Sequence, residues 1–165
     1  MSIDAAHPAG DRLPPFEQVV ELYGPALLRY CAAQVGSERA EDCAQEALLA
    51  ALRGYRRVRE VGAIRSWLFS IAANKAVDLH RGCARTPRPV EDLAPLGATE
   101  EPAYRDDALW ARVRELPEKQ RQAVTLRYLG DLSHSEIAQV METSQGAARR
   151  SVFEGLRRLR REATA

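Results

Sequence analysis

Apolar residues recur at intervals of three and four along nearly the whole chain, and no stretch shows the strict alternation of a β-strand. This is the periodicity of amphipathic α-helices, each of which buries one stripe of its surface. The pattern predicts helices over residues 14–35, 37–52, 63–81, 103–115, 117–129, 133–141 and 144–162. The second and the last of these are each predicted to bury one stripe: Ala40, Cys43, Ala44, Ala47, Leu48, Ala51 and Leu52 in the second, and Ala148, Val152, Gly155, Leu156 and Leu159 in the last. Gly24-Pro25 lies inside the first predicted helix and predicts a kink or a break there. The chain is therefore expected to be all-α.

A proline-rich segment divides this helical pattern into two parts. Residues 86–102 contain four prolines and a glycine, which is typical of a semi-extended linker. We therefore expect two small helical domains, at residues 14–85 and 109–165, joined by a flexible acidic linker at residues 86–108. Residues 1–13 are polar and show no periodicity, so they are expected to form a disordered leader.

Composition limits the class of protein. The hydrophobic fraction of 45% is that of a globular chain, and no apolar run approaches the ~20 residues of a membrane span. No signal peptide is recognisable, so a cytoplasmic protein without membrane insertion is expected. Cys31, Cys43 and Cys83 are far apart, which favours buried thiols over a disulfide or metal site. Because no phosphate loop or histidine cluster is present, neither a cofactor, a small-molecule substrate nor enzyme activity is expected.

The last two predicted helices have the proportions of a helix-turn-helix. Ser133 and Glu136 form a capping-box pattern at the start of the short helix, and residues 142–144 provide a turn before the long one. Residues 111–165 carry eleven basic and seven acidic residues, against two and six in residues 86–110. A short helix, a tight turn and a longer basic helix together place the second helix in the major groove of DNA.

Side chains near the start of the long helix are predicted to read base edges, and those further along are predicted to contact phosphates. The first group comprises Gln145, Arg149, Arg150 and Glu154, and the second comprises Arg157, Arg158, Arg160 and Arg161. The alternative is a solvated charged face. Phe153 lies among these residues, and three roles stay open for it: contact with a thymine methyl, packing on the preceding helix, or contact with a protein partner.

A second basic surface is predicted around the third helix. Its candidate residues are Arg56, Arg57, Arg59, Arg65, Ser66, Ser70, Asn74 and Lys75, near the aromatic Trp67 and Phe69. Basic groups with aromatic and amide neighbours suit single-stranded DNA, whose bases stack on rings or enter pockets. The competing interpretation is structural, because a tryptophan at helical spacing is more often a core residue.

Four motifs carry a family resemblance. Residues 39–46 read R-A-E-D-C-A-Q-E, close to the pattern D-A-E-D-x-x-Q-E, and residues 67–81 match W-L-x-x-I-A-x-N-x-x-x-D-x-x-R at every specified position. Residues 116–121 match L-P-x-x-x-R, and residues 132–138 match L-S-x-x-E-I-A. In this order and at this spacing, the motifs resemble those of the extracytoplasmic-function (ECF) sigma factors, a group of the sigma-70 family of bacterial RNA polymerase. The resemblance covers nearly all of residues 16–161.

The resemblance implies a non-enzymatic factor that binds core RNA polymerase and directs promoter-specific transcription initiation. The domain at 14–85 would be sigma region 2, and the domain at 109–165 would be sigma region 4. Asp42, Gln45 and Glu46 would contact the clamp of the largest polymerase subunit. The polymerase flap would be a further contact.

The resemblance also implies how promoter DNA is read. The loop at residues 56–63, with Trp67 and Asn74, would open the −10 element, and the helix-turn-helix would read the −35 element as duplex. The acidic linker would thread a positively lined channel of the polymerase. An anti-sigma factor would sequester the protein. The chain departs from the family pattern at Leu52, where a tryptophan is frequent, and at Glu154, which replaces a basic residue.

Overall fold

The structure is a computed structural model that describes residues 12–82 and 107–164. Within these two ranges every regular element is helical: α1 (Phe16–Val35), α2 (Ser37–Gly54), α3 (Ile64–Arg81), α4 (Asp107–Glu115), α5 (Glu118–Tyr128), α6 (His134–Val140) and α7 (Gln145–Ala163). Two 3-10 turns, Tyr55–Arg57 and Val61–Ala63, join α2 to α3. The all-α prediction is confirmed. Most of the predicted leader and linker lies outside the described residues.

Small side chains bring α1 and α2 together. The inward face of α2 consists of Ala40, Cys43, Ala44, Ala47, Leu48 and Ala51, all of them buried as predicted. Short side chains allow helix axes to approach closely. Leu52 was predicted to share this face but is 54% exposed. Ala51 occupies the last inward position, and one further residue turns the next side chain by about 100° toward solvent.

Of the kink or break predicted at Gly24-Pro25, the break is wrong, because the helix α1 continues through Pro25. Pro25 and Glu21 both lie on the exposed face of the helix. The Glu21 carbonyl, which loses its N–H partner at the proline, is therefore on the solvent side, where the loss is tolerated. Gly36, at a φ of 87°, ends α1 and precedes α2, and no side chain caps the start of α2.

The helix α7 packs closely against α5. A Cβ placed on Gly155 would lie 2.6 Å from Cγ2 of Val124 and 3.3 Å from the backbone oxygen of Gln120. Only glycine fits this contact without a shift of its neighbours. The predicted buried stripe of α7 is confirmed, since Ala148, Val152, Gly155 and Leu159 are buried and Leu156 is half-buried.

The two helical units also pack against each other, α1 and α3 from the first meeting α5 and α6 from the second. The side chain of Gln34 is buried between them, and its Nε2 donates to Oγ1 of Thr125 at 2.7 Å. Nε of Arg121 donates to Oε1 of the same glutamine at 3.3 Å. Residues separated by about 90 positions therefore share a buried polar contact.

An aromatic side chain of α3 extends the same interface. Phe69 was predicted beside the exposed polar residues of α3, but it is only 1% exposed. Its ring meets Tyr30 edge-on at 5.5 Å between centroids and lies 3.4 Å from the Cβ position of Gly130. Because the second unit covers part of this ring, the burial of Phe69 cannot be predicted from the sequence of the first unit alone.

Candidate nucleic-acid and partner interfaces

An aromatic cluster fixes the basic loop before α3. Tyr55 begins the first 3-10 turn, and its hydroxyl donates to the backbone oxygen of Pro14 at 2.5 Å. Its ring packs against Phe16 at 5.3 Å and against Trp67 at 6.3 Å between centroids. Burial raises the pKa of Tyr55, which keeps this hydroxyl protonated as a donor. Trp67 is half-buried, so it serves the core and still presents part of its surface.

The arginines of this loop lie outside the aromatic cluster and face solvent. Arg56, Arg57 and Arg59 are all exposed, two of them within the Tyr55–Arg57 turn and one just after it. A loop pinned by aromatic rings holds its flanking cations in a defined place. That arrangement suits the backbone of an extended nucleic-acid strand.

The polar residues of α3 form a line. Ser66, Ser70 and Asn74 follow each other at intervals of four residues and therefore lie on one side of the helix. The two serine hydroxyls donate to the backbone oxygens of Ala63 and Trp67, at 3.3 and 2.6 Å. Their oxygens can still accept hydrogen bonds.

Two other predicted residues of α3 lie off this line. Nη1 of Arg65 lies 3.4 Å from Oδ2 of Asp131, in the second unit, and its guanidinium sits 5.6 Å from the Tyr23 ring centroid. Lys75 follows Asn74 by one residue and is turned about 100° away from the line. The predicted group is thus divided, with Arg65 engaged in the interface between the two units.

The predicted polymerase-docking residues share one face of α2. Asp42 and Glu46 are exposed and one turn apart, and Gln45 is half-exposed beside them. Leu52 follows Gln45 by seven residues, two full turns, and so extends the same face with an exposed apolar side chain. The sequence pattern missed Leu52 because it was assigned to the core.

The turn before α7 is built by side-chain caps. Oγ of Ser133 accepts from the Glu136 N–H at 3.2 Å, and Oε2 of Glu136 accepts from the Ser133 N–H at 2.8 Å, as the capping-box pattern predicted. Glu142 adopts a positive φ of 52° within the turn. Oγ of Ser144 then accepts from the Ala147 N–H at 3.1 Å and starts α7. The helix-turn-helix prediction is confirmed in these details.

All eight residues of α7 that were predicted to contact DNA are exposed: Gln145, Arg149, Arg150, Glu154, Arg157, Arg158, Arg160 and Arg161. They do not form one group. Glu154 accepts from Nε2 of Gln120 at 3.4 Å, on the α5 side. Arg157, Arg158 and Arg161 line a shallow hollow with these two residues. Gln145 and Arg149 lie on the other side of α7, one turn apart.

A histidine lies near this second group. The pKa of His134, at the start of α6, is lowered by partial burial and by the positive charges of Arg127 and Arg149. The imidazole is therefore neutral near pH 7. It adds no charge to the α7 surface at that pH.

Within residues 12–82 and 107–164, no helix is both long and apolar enough to cross a bilayer. Over the same residues, no group of three or more potential metal-ligating side chains comes together. Cys31 and Cys43 are buried free thiols, and Cys83 lies outside the described residues.

Comparison with known proteins places both units in one family. The model for Sigma-70 region 2 matches residues 19–86, and the model for Sigma-70, region 4 matches residues 106–159. The ECF RNA polymerase sigma factor SigD of Mycobacterium tuberculosis is 36% identical, over 95% of this chain and 80% of its own. The ECF RNA polymerase sigma factor ShbA of Streptomyces griseus is 33% identical, over 82% of this chain and 81% of its own.

Solved structures show the same fold. The sigma factor RpoE in complex with the anti-sigma factor NepR, from Bartonella quintana, superposes with a TM-score of 0.71 at 20% identity, over 91% of this chain and 97% of that one. CnrH in complex with the cytosolic domain of CnrY superposes with a TM-score of 0.69 at 22% identity, over 90% of this chain and 87% of that one. With two region models and relatives of this identity, the chain belongs to the ECF sigma factors, the non-enzymatic subunits that direct RNA polymerase to initiate transcription at particular promoters.

Proposed function

We propose that the protein divides this activity among three surfaces, in two domains at residues 14–85 and 109–165. The α2 face docks on core polymerase, the loop and α3 hold the melted −10 strand, and α7 reads the −35 duplex. The observation that carries the proposal is that most of each predicted group is exposed or half-exposed, on α2, on α3 with its preceding loop, and on α7. The protein itself carries out no covalent chemistry, and it acts in the cytoplasm, where the polymerase transcribes.

Core docking rests on the polar face of α2. Asp42, Gln45 and Glu46 provide two carboxylates and an amide within about one turn, which suits a basic, hydrogen-bonding partner surface. We propose that this partner is the clamp of the largest subunit, with the flap contacted elsewhere. Because Asp42 and Glu46 are exposed and Gln45 is half-exposed, replacing one of them changes the surface and leaves the core intact.

Holding of the −10 strand rests on α3 and the loop. Ser66, Ser70 and Asn74 present hydrogen-bonding groups in a row beside the half-buried Trp67 ring, and the loop arginines approach the backbone of the strand. A base turned out of the stack needs both an edge partner and a stacking surface. Asn74→Ala is expected to weaken binding of a single-stranded −10 oligonucleotide by the holoenzyme. Gln18→Ala, which removes an exposed amide from α1, is the control and should not change it.

Reading of the −35 duplex rests on α7. Gln145, Arg149 and Arg150 lie in its first two turns, the part that reaches base edges when such a helix enters the major groove. Arg157, Arg158 and Arg161 lie further along, where phosphate contacts would make binding strongly salt-dependent. Glu154 is held toward Gln120 and would reach a cytosine only after releasing it.

The packed arrangement of the two domains must open for this activity. The two promoter elements lie ~25 base pairs apart, which is ~85 Å of B-DNA at about 3.4 Å per step. A compact body of the described residues has a radius of gyration of about 14 Å and spans less than about 40 Å. Contacts such as Gln34–Thr125 therefore have to separate before one molecule holds both elements.

An anti-sigma factor is the proposed regulator. The sigma factor RpoE, which shares this fold, was determined with the anti-sigma factor NepR bound, and CnrH with the cytosolic domain of CnrY bound; those partners belong to those proteins. The support in this chain is the exposed apolar surface on two domains, including Leu22 and Leu52 on the first and Tyr128 on the second. A partner that covers such side chains on both domains would hold them together and keep them from the polymerase.

Run-off transcription with purified core polymerase tests the proposal. The full chain is expected to produce defined starts on a library of genomic promoter fragments. Asp42→Arg should abolish them, whereas Glu41→Arg, which alters an exposed neighbour about 100° around α2, should not. A protein that binds duplex DNA alone and never confers start sites would instead be an independent helix-turn-helix regulator.

A further inference from the structure

Phe153 is an exposed aromatic residue on the DNA-facing side of α7. It is 62% exposed although phenylalanine is one of the residues most often buried. The contact between α7 and α5 is made elsewhere, through Gly155 against Val124. Phe153 belongs to neither hydrophobic core cluster of the described residues, so packing on the preceding helix, one of the three roles open from the sequence, does not account for its exposed ring. Its ring is available to something outside the described fold.

Arginines flank this ring on both sides. Arg149 and Arg150 lie one turn before Phe153 and Arg157 lies one turn after it, and all three are exposed. Gly146 lies two turns before, with no atom within 4 Å of its Cβ position. Nothing on that side covers the ring or prevents a partner from approaching the helix backbone closely.

These neighbours identify the class of partner. An apolar protein surface would have to bury three guanidinium groups along with the ring, at a large desolvation cost. The DNA major groove offers base edges to Arg149 and Arg150 and phosphates to Arg157, and the thymine 5-methyl is the apolar group on its base edges. A phenylalanine among these arginines therefore matches a thymine within the groove.

We propose that Phe153 reads a thymine in the −35 element through contact with its 5-methyl group, and so sets part of the promoter specificity. This inference rests on the proposed role of α7 as the −35 reader. The Phe153 contact would add an apolar contact that distinguishes bases to the charged contacts of the same helix.

The test replaces thymine by deoxyuridine, which removes the methyl and keeps every hydrogen-bonding group. The probe is a duplex recovered by selecting a random upstream library with the reconstituted holoenzyme, with each thymine replaced in turn. For the native chain, one replacement is expected to weaken binding about fourfold, the equivalent of one methyl-sized apolar group. For Phe153→Ala, the same replacement should have no further effect, whereas Phe153→Leu should retain part of it.

Matched controls separate this contact from other causes. Tyr128→Ala removes an aromatic ring that is also 62% exposed, from α5, and should leave the deoxyuridine effect intact. Thermal melting of Phe153→Ala should match that of the native chain, because the ring supports no core.

Three outcomes would overturn the inference. In the first, replacing thymine by deoxyuridine changes binding at no position. In the second, the replacement weakens binding by the native chain and by Phe153→Ala equally. In the third, Phe153→Ala loses binding to a protein partner and still distinguishes thymine from deoxyuridine. If the native holoenzyme selects no upstream duplex at all, the proposed role of α7 fails as well. If it selects one and only the thymine test fails, that role stands without the Phe153 contact.

Discussion

The contact between Gln34 and Thr125 provides a sharp test of how the protein opens. Both side chains are buried, at 7% and 2% exposure, and the amide Nε2 donates to the hydroxyl at 2.7 Å. Thr125→Val keeps the shape of the side chain and removes the acceptor. In the packed form the Gln34 amide is then left buried without that partner. In the open form water replaces it, so the penalty falls on the packed form alone.

The size of the effect follows from that asymmetry. Leaving a buried donor unsatisfied costs about 1–3 kcal/mol. The ratio of open to packed molecules should therefore rise by about five- to 150-fold. Because a ligand that binds only the open form has its affinity reduced by the open fraction, the variant should bind more tightly. A mutation that weakens the structure is thus expected to strengthen holoenzyme function.

Two measurements follow this change. Small-angle X-ray scattering of the free protein should show a larger radius of gyration for Thr125→Val than for the native chain. Run-off transcription at limiting protein should reach half-saturation at a lower concentration of the variant. Gln34→Leu combined with Thr125→Val is the matched control. Replacing both partners by apolar groups removes the buried unpaired amide. It also frees Nε of Arg121, which is only partly buried and can turn to water, so the packed form should be restored.

Two results would contradict this prediction. If Thr125→Val changes neither the scattering nor the half-saturating concentration, the contact does not hold the two domains together. If the double variant opens as far as the single one, the cause is a general loss of packing and not the unsatisfied amide.

Three further predictions concern single positions. Asp42→Arg is expected to lower core polymerase affinity at least tenfold with an unchanged melting temperature, and equal affinity would remove Asp42 from the docking face. Arg150→Ala is expected to weaken binding of the cognate −35 duplex by about 1–3 kcal/mol, with Arg114→Ala on α4 as the control; equal loss on every sequence would make Arg150 a phosphate contact. Gly155→Ala should lower the unfolding free energy by about 1–3 kcal/mol through overpacking on Val124, whereas Gly146→Ala, in open space, should not.

The sequence predicted the helices well because each one carries its own signals. The buried stripe of α7 and the capping box at Ser133 are local patterns, readable within a few residues. The ends differed by a few residues, as when Pro117 proved to precede α5 and not to begin it. Gly24-Pro25 misled because the cost of a proline depends on whether the freed carbonyl faces water.

What the sequence did not reveal is the packing between distant parts. Gln34 and Thr125 are polar residues that no periodicity links, and Phe69 appeared suited to stacking on a base. Their burial is decided by a second domain whose placement no local pattern specifies. The same limit applies to Phe153, whose exposure distinguished between roles that the sequence left open.

The two sides of α3 explain how the packed form can control promoter binding without covering the residues proposed to bind the −10 strand. Arg65 and Phe69, one turn apart, face the second domain. Ser66 and Ser70 follow each of them by one residue and are turned about 100° away, so they remain half-exposed in the packed form. Apart from Arg65, the residues proposed to bind the −10 strand are therefore accessible before opening. The packed form limits the distance between the two DNA-binding surfaces that the protein can span, and it leaves both surfaces accessible. A single-stranded −10 oligonucleotide should accordingly bind native and Thr125→Val holoenzymes alike, whereas DNA carrying both elements should distinguish them.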